Sequence, residues 1–297
     1  VNRRDAAKLF AASLLTPLRG SAARPPAPLA EPAGTAGSPV RFSVMLWTLE
    51  KQASFDQCLE LVAAAGYQGV ELVGEFQAWT AADKRRILAR MRMLGLRFDA
   101  MSGVPTGFAL PDKSELFLQQ FTAHIEAAHE LECPQVILLS GNRTGTPGTQ
   151  RLCAIENLKR AAEIADRRQI EIVIEPIDLL ENPAIFLASV TPAFEIARAV
   201  NQPNLKVLYD LYHEQRSFGN LIEKLEQNIA LVGLIHVADV PGRHAPGTGE
   251  INFPAIYRKL AELHYDRWIA MEFYPTTEPG ASLRQARTEA LASLSRP

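Results

Sequence analysis

The chain has 297 residues, 47% of them hydrophobic, with 33 acidic against 31 basic side chains and a formal net charge of −2. That is enough apolar material for a sizeable core, and the balance leaves no basic stripe of the kind a nucleic-acid partner needs. Three widely spaced cysteines, Cys58, Cys133 and Cys153, contain no CxxC pair, which argues against a disulfide framework and a thiolate metal site.

Residues 1–38 differ from the rest. Arg3 and Arg4 precede an Ala/Leu run, which gives way to small residues and prolines. That is the order of a secretory signal, and the adjacent arginines resemble a twin-arginine export signal. The apolar run is roughly ten residues long before Arg19 interrupts it, too short to span a bilayer. The expectation is an export signal and disordered linker over 1–38, then one catalytic domain over 39–297. The mature protein would be periplasmic or exported, or cytoplasmic if the signal does not function.

From residue 40 the pattern turns regular. Strands are expected at "VRFSVMLW" (40–47), "GVELV" (69–73), "LRFDAMS" (96–102), "QVILLSG" (135–141), "IEIVIEPI" (170–177), "LKVLYD" (205–210), "LVGLIHVAD" (231–239) and "DRWIAMEFY" (266–274). Between and after them, apolar residues at helical spacing predict helices over 54–66, 81–95, 113–132, 148–169, 191–201, 217–230, 252–265 and 282–296. Strict βα alternation demands a parallel sheet. Eight units in about 250 residues match a closed (β/α)₈ TIM barrel. An open doubly wound sheet would show a glycine-rich turn after its first strand, and "LWTLEKQASF" has none.

Chemistry on such a barrel sits at the C-terminal ends of the strands. Those ends carry Glu71, Ser140, Glu175, Asp210, His236 and Glu272 on strands two and four to eight. One carboxylate there is unremarkable, since it can cap a helix or pair with a lysine. Three at one mouth repel one another unless a cation neutralises them. Three carboxylates with one imidazole suit a divalent ion such as Mn²⁺, Mg²⁺ or Co²⁺. The expected metal ligands are therefore Glu175, Asp210, His236 and Glu272. His213, on the loop expected after Asp210, is a candidate substrate contact, as is the weaker Glu181. Arg243, on the proline- and glycine-shaped "PGRHAPGTGE" loop, could fold back over the mouth and hold a substrate carboxylate bidentately. A capping histidine and a surface arginine are the plainer alternatives. His124, His129 and His264 read as helix-surface residues.

The stretches "IEPID", "YDLYHEQ", "HVADVPGRHAPGTGEINF" and "AMEFYP" resemble the hydroxypyruvate isomerase family, within the xylose isomerase-like barrels. The similarity spans roughly residues 40–275. By this resemblance Glu175 and Glu272 are the acid/base pair as well as metal ligands. The family usually carries Gln where His236 stands, whereas His is the choice of ketose epimerases.

The implied chemistry is enediolate formation. A divalent ion chelated by a carbonyl and its neighbouring hydroxyl acidifies the C–H between them, and glutamates move the proton. The expected reaction interconverts hydroxypyruvate and tartronate semialdehyde, or a related short hydroxy-keto acid. The alternative is a ketose 3-epimerase or other sugar isomerase with the same metal site. A non-catalytic binder and a metal-dependent abasic-site nuclease stand further off. Partners are expected to be a small-molecule substrate, with no nucleic acid and no membrane after signal removal. Self-association into a homo-oligomer stays open.

Overall fold

Eight parallel strands close on one another in chain order, β1 pairing with β8 through Arg41↔Trp268 and Val44↔Met271. A computed structural model describes residues 40–295, so the expected export signal and linker lie outside the described residues. The strands are β1 (Arg41–Met45), β2 (Gly69–Val73), β3 (Arg97–Ser102), β4 (Gln135–Leu139), β5 (Glu171–Glu175), β6 (Leu205–Asp210), β7 (Val232–Val237) and β8 (Trp268–Met271). Around them run α1 (Phe55–Ala64), α2 (Ala81–Leu94), α3 (Ser114–Glu130), α4 (Pro147–Asp166), α5 (Val190–Val200), α6 (Leu211–Ser217), α7 (Leu221–Asn228), α8 (Phe253–Glu262) and α9 (Pro279–Leu294). This is the expected (β/α)₈ barrel, and among the described residues no helix is long and apolar enough to cross a membrane.

Local chemistry sets the boundaries. Helix α2 begins in a reciprocal cap between Thr80 and Asp83 and ends at Gly95, in the left-handed region. Helix α5 starts on the Ser189 hydroxyl, which accepts from the Thr191 N–H. The strands are short apolar runs buried on both faces, as parallel strands covered by helices must be. Their outward side chains pack against the helices. Met45, Ile137, Val173, Leu208, Leu234 and Trp268 fill the inside of the barrel. A methyl on Gly69 would lie 2.7 Å from the Trp268 ring, so only glycine lets the indole into that interior.

Four expectations need correction. One helix over 217–230 was expected after β6, and α6 and α7 stand there instead. Asp210 starts α6 at once, its Oδ1 accepting from the N–H groups of Tyr212 at 2.7 Å and His213 at 3.1 Å. Gly219 and Asn220, both at positive φ, then separate the two helices. The first strand ends sooner than expected, Leu46–Thr48 forming a 3₁₀ turn. The eighth is also shorter, leaving Glu272 just past its end, its N–H still bonded to the Val237 carbonyl. His124 is not a surface residue but is buried against Phe76.

Candidate active site at the barrel mouth

Glu175, Asp210, His236 and Glu272 leave four consecutive strands and meet. Each offers one donor atom, and those atoms all lie within 4.8 Å of one another. Register brings this about: Asp210 pairs with His236 across β6–β7, and Glu272 hangs on the end of β7 through its backbone. All four side chains are buried. His236 Nδ1 lies 2.7 Å from Glu272 Oε2 and 3.9 Å from Glu175 Oε1.

The two glutamates sit in opposite environments. Glu272 accepts from the Trp47 indole N–H at 3.0 Å, and both His236 Nδ1 and Arg243 Nη2 lie 2.7 Å from its Oε2. Burial alone would raise its pKa, but Arg243 and His236 outweigh that and hold it well below the usual range. Glu175 accepts no hydrogen bond among the described residues. Burial, reinforced by the charge of Glu272, pushes its pKa up to about 8. A buried carboxylate without a donor is costly, and a cation shared with Asp210, His236 and Glu272 would remove that cost. The residues present therefore fit a divalent ion held by oxygen and imidazole donors.

The expected substrate residues stand around this cluster. His213 lies on α6, not on a loop, and is buried with its Nδ1 2.7 Å from Asp178 Oδ2 and its Nε2 3.5 Å from Asp210 Oδ2. Burial opposes its charged form, yet Asp210 and Asp178 raise its pKa to about 9. Arg243 points inward and is only 5% exposed. Its Nη1 meets Glu181 at 3.1 Å, and its Nη2 reaches Asp210 at 3.4 Å as well as Glu272. The rings of Trp47 and Tyr212 flank the guanidinium at 5.5 and 5.1 Å.

The loop that delivers Arg243 is organised by Asp239. Its carboxylate accepts from the N–H groups of Val240, Gly247, Gly249 and Ile251 at 2.8–3.0 Å. Gly249 runs so close to the Val240 carbonyl that a methyl would sit 1.9 Å from its oxygen. The charges after β7 thus divide into a clamp that shapes the loop and an arginine that enters the site.

A family described as Xylose isomerase-like TIM barrel matches residues 59–294. The chain belongs to this family. The hydroxypyruvate isomerase of Escherichia coli (strain K12) is 29% identical over 252 residues, covering 82% of this chain and 97% of that one. A 2-oxo-tetronate isomerase of Pectobacterium atrosepticum is 31% identical over 253 residues, covering 81% and 95%. A crystal structure described as an AP endonuclease, family 2, from Brucella melitensis matches with a TM-score of 0.78 at 25% identity, covering 84% of this chain and 98% of that one. Among xylose isomerase-like barrels the chain falls with the hydroxypyruvate isomerase family, and it is an isomerase.

Sequence reasoning assigned nothing to three residues that shape this site. Trp47, the last residue of an apolar run, donates to Glu272. Asp178, inside "IEPID", fixes the His213 ring and accepts from the backbone N–H groups of Leu180 and Glu181. Asp239 holds the loop. An acid at the end of an apolar run was the available signal for Asp239, and a polar aromatic there was the signal for Trp47.

Proposed function

We propose that the protein interconverts hydroxypyruvate and tartronate semialdehyde, or another short hydroxy-keto acid pair, by moving a proton between adjacent carbons. The observation that carries this reading is the facing pair Glu175 and Glu272, buried at one mouth with an arginine beside them. One glutamate takes the proton from the carbon bearing the hydroxyl, and the other, or the same one, returns it to the neighbouring carbon. The balance also requires a proton to pass from the substrate hydroxyl to the former carbonyl oxygen. His213 Nε2, which faces Arg243 and Asp210, is suited to hold or release it.

Glu175, Asp210, His236 and Glu272 would hold a divalent ion, Mn²⁺, Mg²⁺ or Co²⁺, which when bound supplies a Lewis acid for the carbonyl and its neighbouring hydroxyl. Arg243 favours a substrate with a carboxylate. The Glu181 side chain is 44% exposed, so a substrate carboxylate can take its place on the guanidinium fork. A ketose 3-epimerase is the second reading, favoured by His236 where hydroxypyruvate isomerases usually carry glutamine. A nuclease fits less well, because the cluster holds a single histidine and the net charge is −2. Assaying the purified protein with Mn²⁺, Mg²⁺ and Co²⁺ against hydroxypyruvate and a panel of ketoses tests the proposal. Hydroxy-keto acid turnover is expected, and turnover of neutral ketoses alone would overturn it.

Residues 1–38 are proposed as an export signal and linker ahead of the catalytic domain, placing the enzyme in the periplasm. A reporter fused to this segment that stays in the cytoplasm would refute that.

A further inference from the structure

His236 is wholly buried, so both ring nitrogens must find partners inside the protein. Nδ1 faces Glu272 and Glu175. On the other side of the ring, Nε2 lies 2.9 Å from Oε2 of Glu71. Glu71 belongs to β2, three strands round the barrel from β7, and its side chain has to cross the interior to get there. It is also wholly buried. The 2.9 Å contact is out of line for a hydrogen bond, and neither oxygen of Glu71 nor His236 Nε2 has an aligned partner elsewhere. Leaving three buried polar atoms unpaired is expensive, and each is the nearest remedy for the others.

An imidazole that ligates a metal is neutral and has one ring proton, so Glu272 and Glu71 compete for it. Glu272 already has the Trp47 N–H on one oxygen and the Arg243 guanidinium on the other. Glu71 has no aligned donor. The proton therefore gains more on Nε2, which leaves the Nδ1 lone pair pointing at the mouth. A second carboxyl steadies the arrangement. Asp99 on β3 is buried beside Glu71 and accepts from the Ser43 hydroxyl. Burial and the charge of Glu71 push the Asp99 pKa up, which eases the repulsion between the two carboxyls.

We infer that Glu71 is the positioning residue of His236, taking the Nε2 proton so that Nδ1 is presented to the Glu175–Asp210–Glu272 cluster as an unprotonated donor. A carboxylate behind a ligating imidazole fixes its tautomer and ring orientation and raises its basicity. The inference rests on the metal reading of the mouth. It assigns a role to a carboxylate that the proton transfer itself does not use.

Mn²⁺ binding to the full chain, measured by calorimetry, tests it in a two-by-two set: wild type, Glu71→Ala, His236→Gln, and the double variant. Glu71→Ala is expected to weaken Mn²⁺ about 10- to 100-fold in the wild-type background. In the His236→Gln background, where no imidazole remains to be held, it should cost less than about threefold. Glu71→Gln, which keeps the shape and one acceptor oxygen, should recover part of the loss and stands in if Glu71→Ala does not fold. Independently, ¹⁵N NMR of the Mg²⁺-loaded wild type should show His236 protonated at Nε2 and bare at Nδ1. Equal losses in both backgrounds, unchanged Mn²⁺ affinity in Glu71→Ala, or a proton on Nδ1 would each overturn the inference and leave the metal reading standing. A wild type that binds no Mn²⁺ would overturn both.

Discussion

Two glutamates on one strand, four residues apart, have opposite surroundings. Glu171 opens β5 at the bottom of the barrel, where Arg267 lies 2.6 Å away and Gln135 donates to it at 2.7 Å. Nearby, Arg41 stacks over the Trp268 ring at 4.7 Å. Glu175 ends the same strand at the mouth and accepts no hydrogen bond among the described residues, while Asp210 and Glu272 crowd it. At the bottom the carboxylate is satisfied within the protein. The mouth has acid to spare, and under the proposed function a cation and a substrate complete it.

That contrast is open to experiment from both ends. The largest effect is expected from Glu175→Gln and Glu272→Gln, each lowering turnover by about 10²–10⁴-fold with circular dichroism unchanged. Substantial activity in both, at saturating metal, would remove the pair from the chemistry.

Acid in excess also means that protons compete with a cation. Because Glu175 holds its proton up to about pH 8, Mn²⁺ affinity should rise as pH increases toward that value and then level off. The slope should approach about tenfold per pH unit below the plateau, with about one proton released. Calorimetry in buffers of different ionisation enthalpy reads both, and a flat profile from pH 6 to 8 would count against the assignment.

Next in size is Arg243→Lys. Lysine lacks the planar fork, so kcat/KM for hydroxypyruvate should fall about 10- to 100-fold, with little change for neutral ketoses. Equal losses for both substrates would confine Arg243 to shaping its loop.

At the satisfied end, Glu171→Gln should leave kcat/KM within about twofold and cost about 1 kcal/mol of stability, read from urea unfolding. A stability effect confined to acid pH concerns His124. Burial lowers its pKa from 6.5 to about 4, so the folded protein resists a proton that the unfolded chain accepts. Its contribution to stability is therefore complete above pH 6.5 and is lost as pH falls toward 4 and below. His124→Gln should flatten that part of the stability profile, measured on metal-free protein.

The alternation of short buried strands with amphipathic helices made the barrel legible, because parallel neighbours need crossovers and few other folds use eight. The four converging residues were legible because a polar group ending an apolar run is visible in one dimension. What crosses the interior was not. Glu71 was expected at a strand end but is the middle residue of β2, and only closure of the sheet brings it to the far side of His236. Helix α6 was missed because Asp210 was read for chemistry alone, although it also caps the helix that follows. His124 was misread although Phe117, Phe121 and Ala128 mark the same buried face of α3, at spacings that already included it.

The central claim, that the mouth is completed by a divalent cation, is tested most directly by restoring activity to chelated enzyme. Protein stripped of metal should have no hydroxypyruvate isomerase activity. Mn²⁺ added back should restore it, with saturation at one ion per chain. Full activity in protein verified to be metal-free would contradict the account.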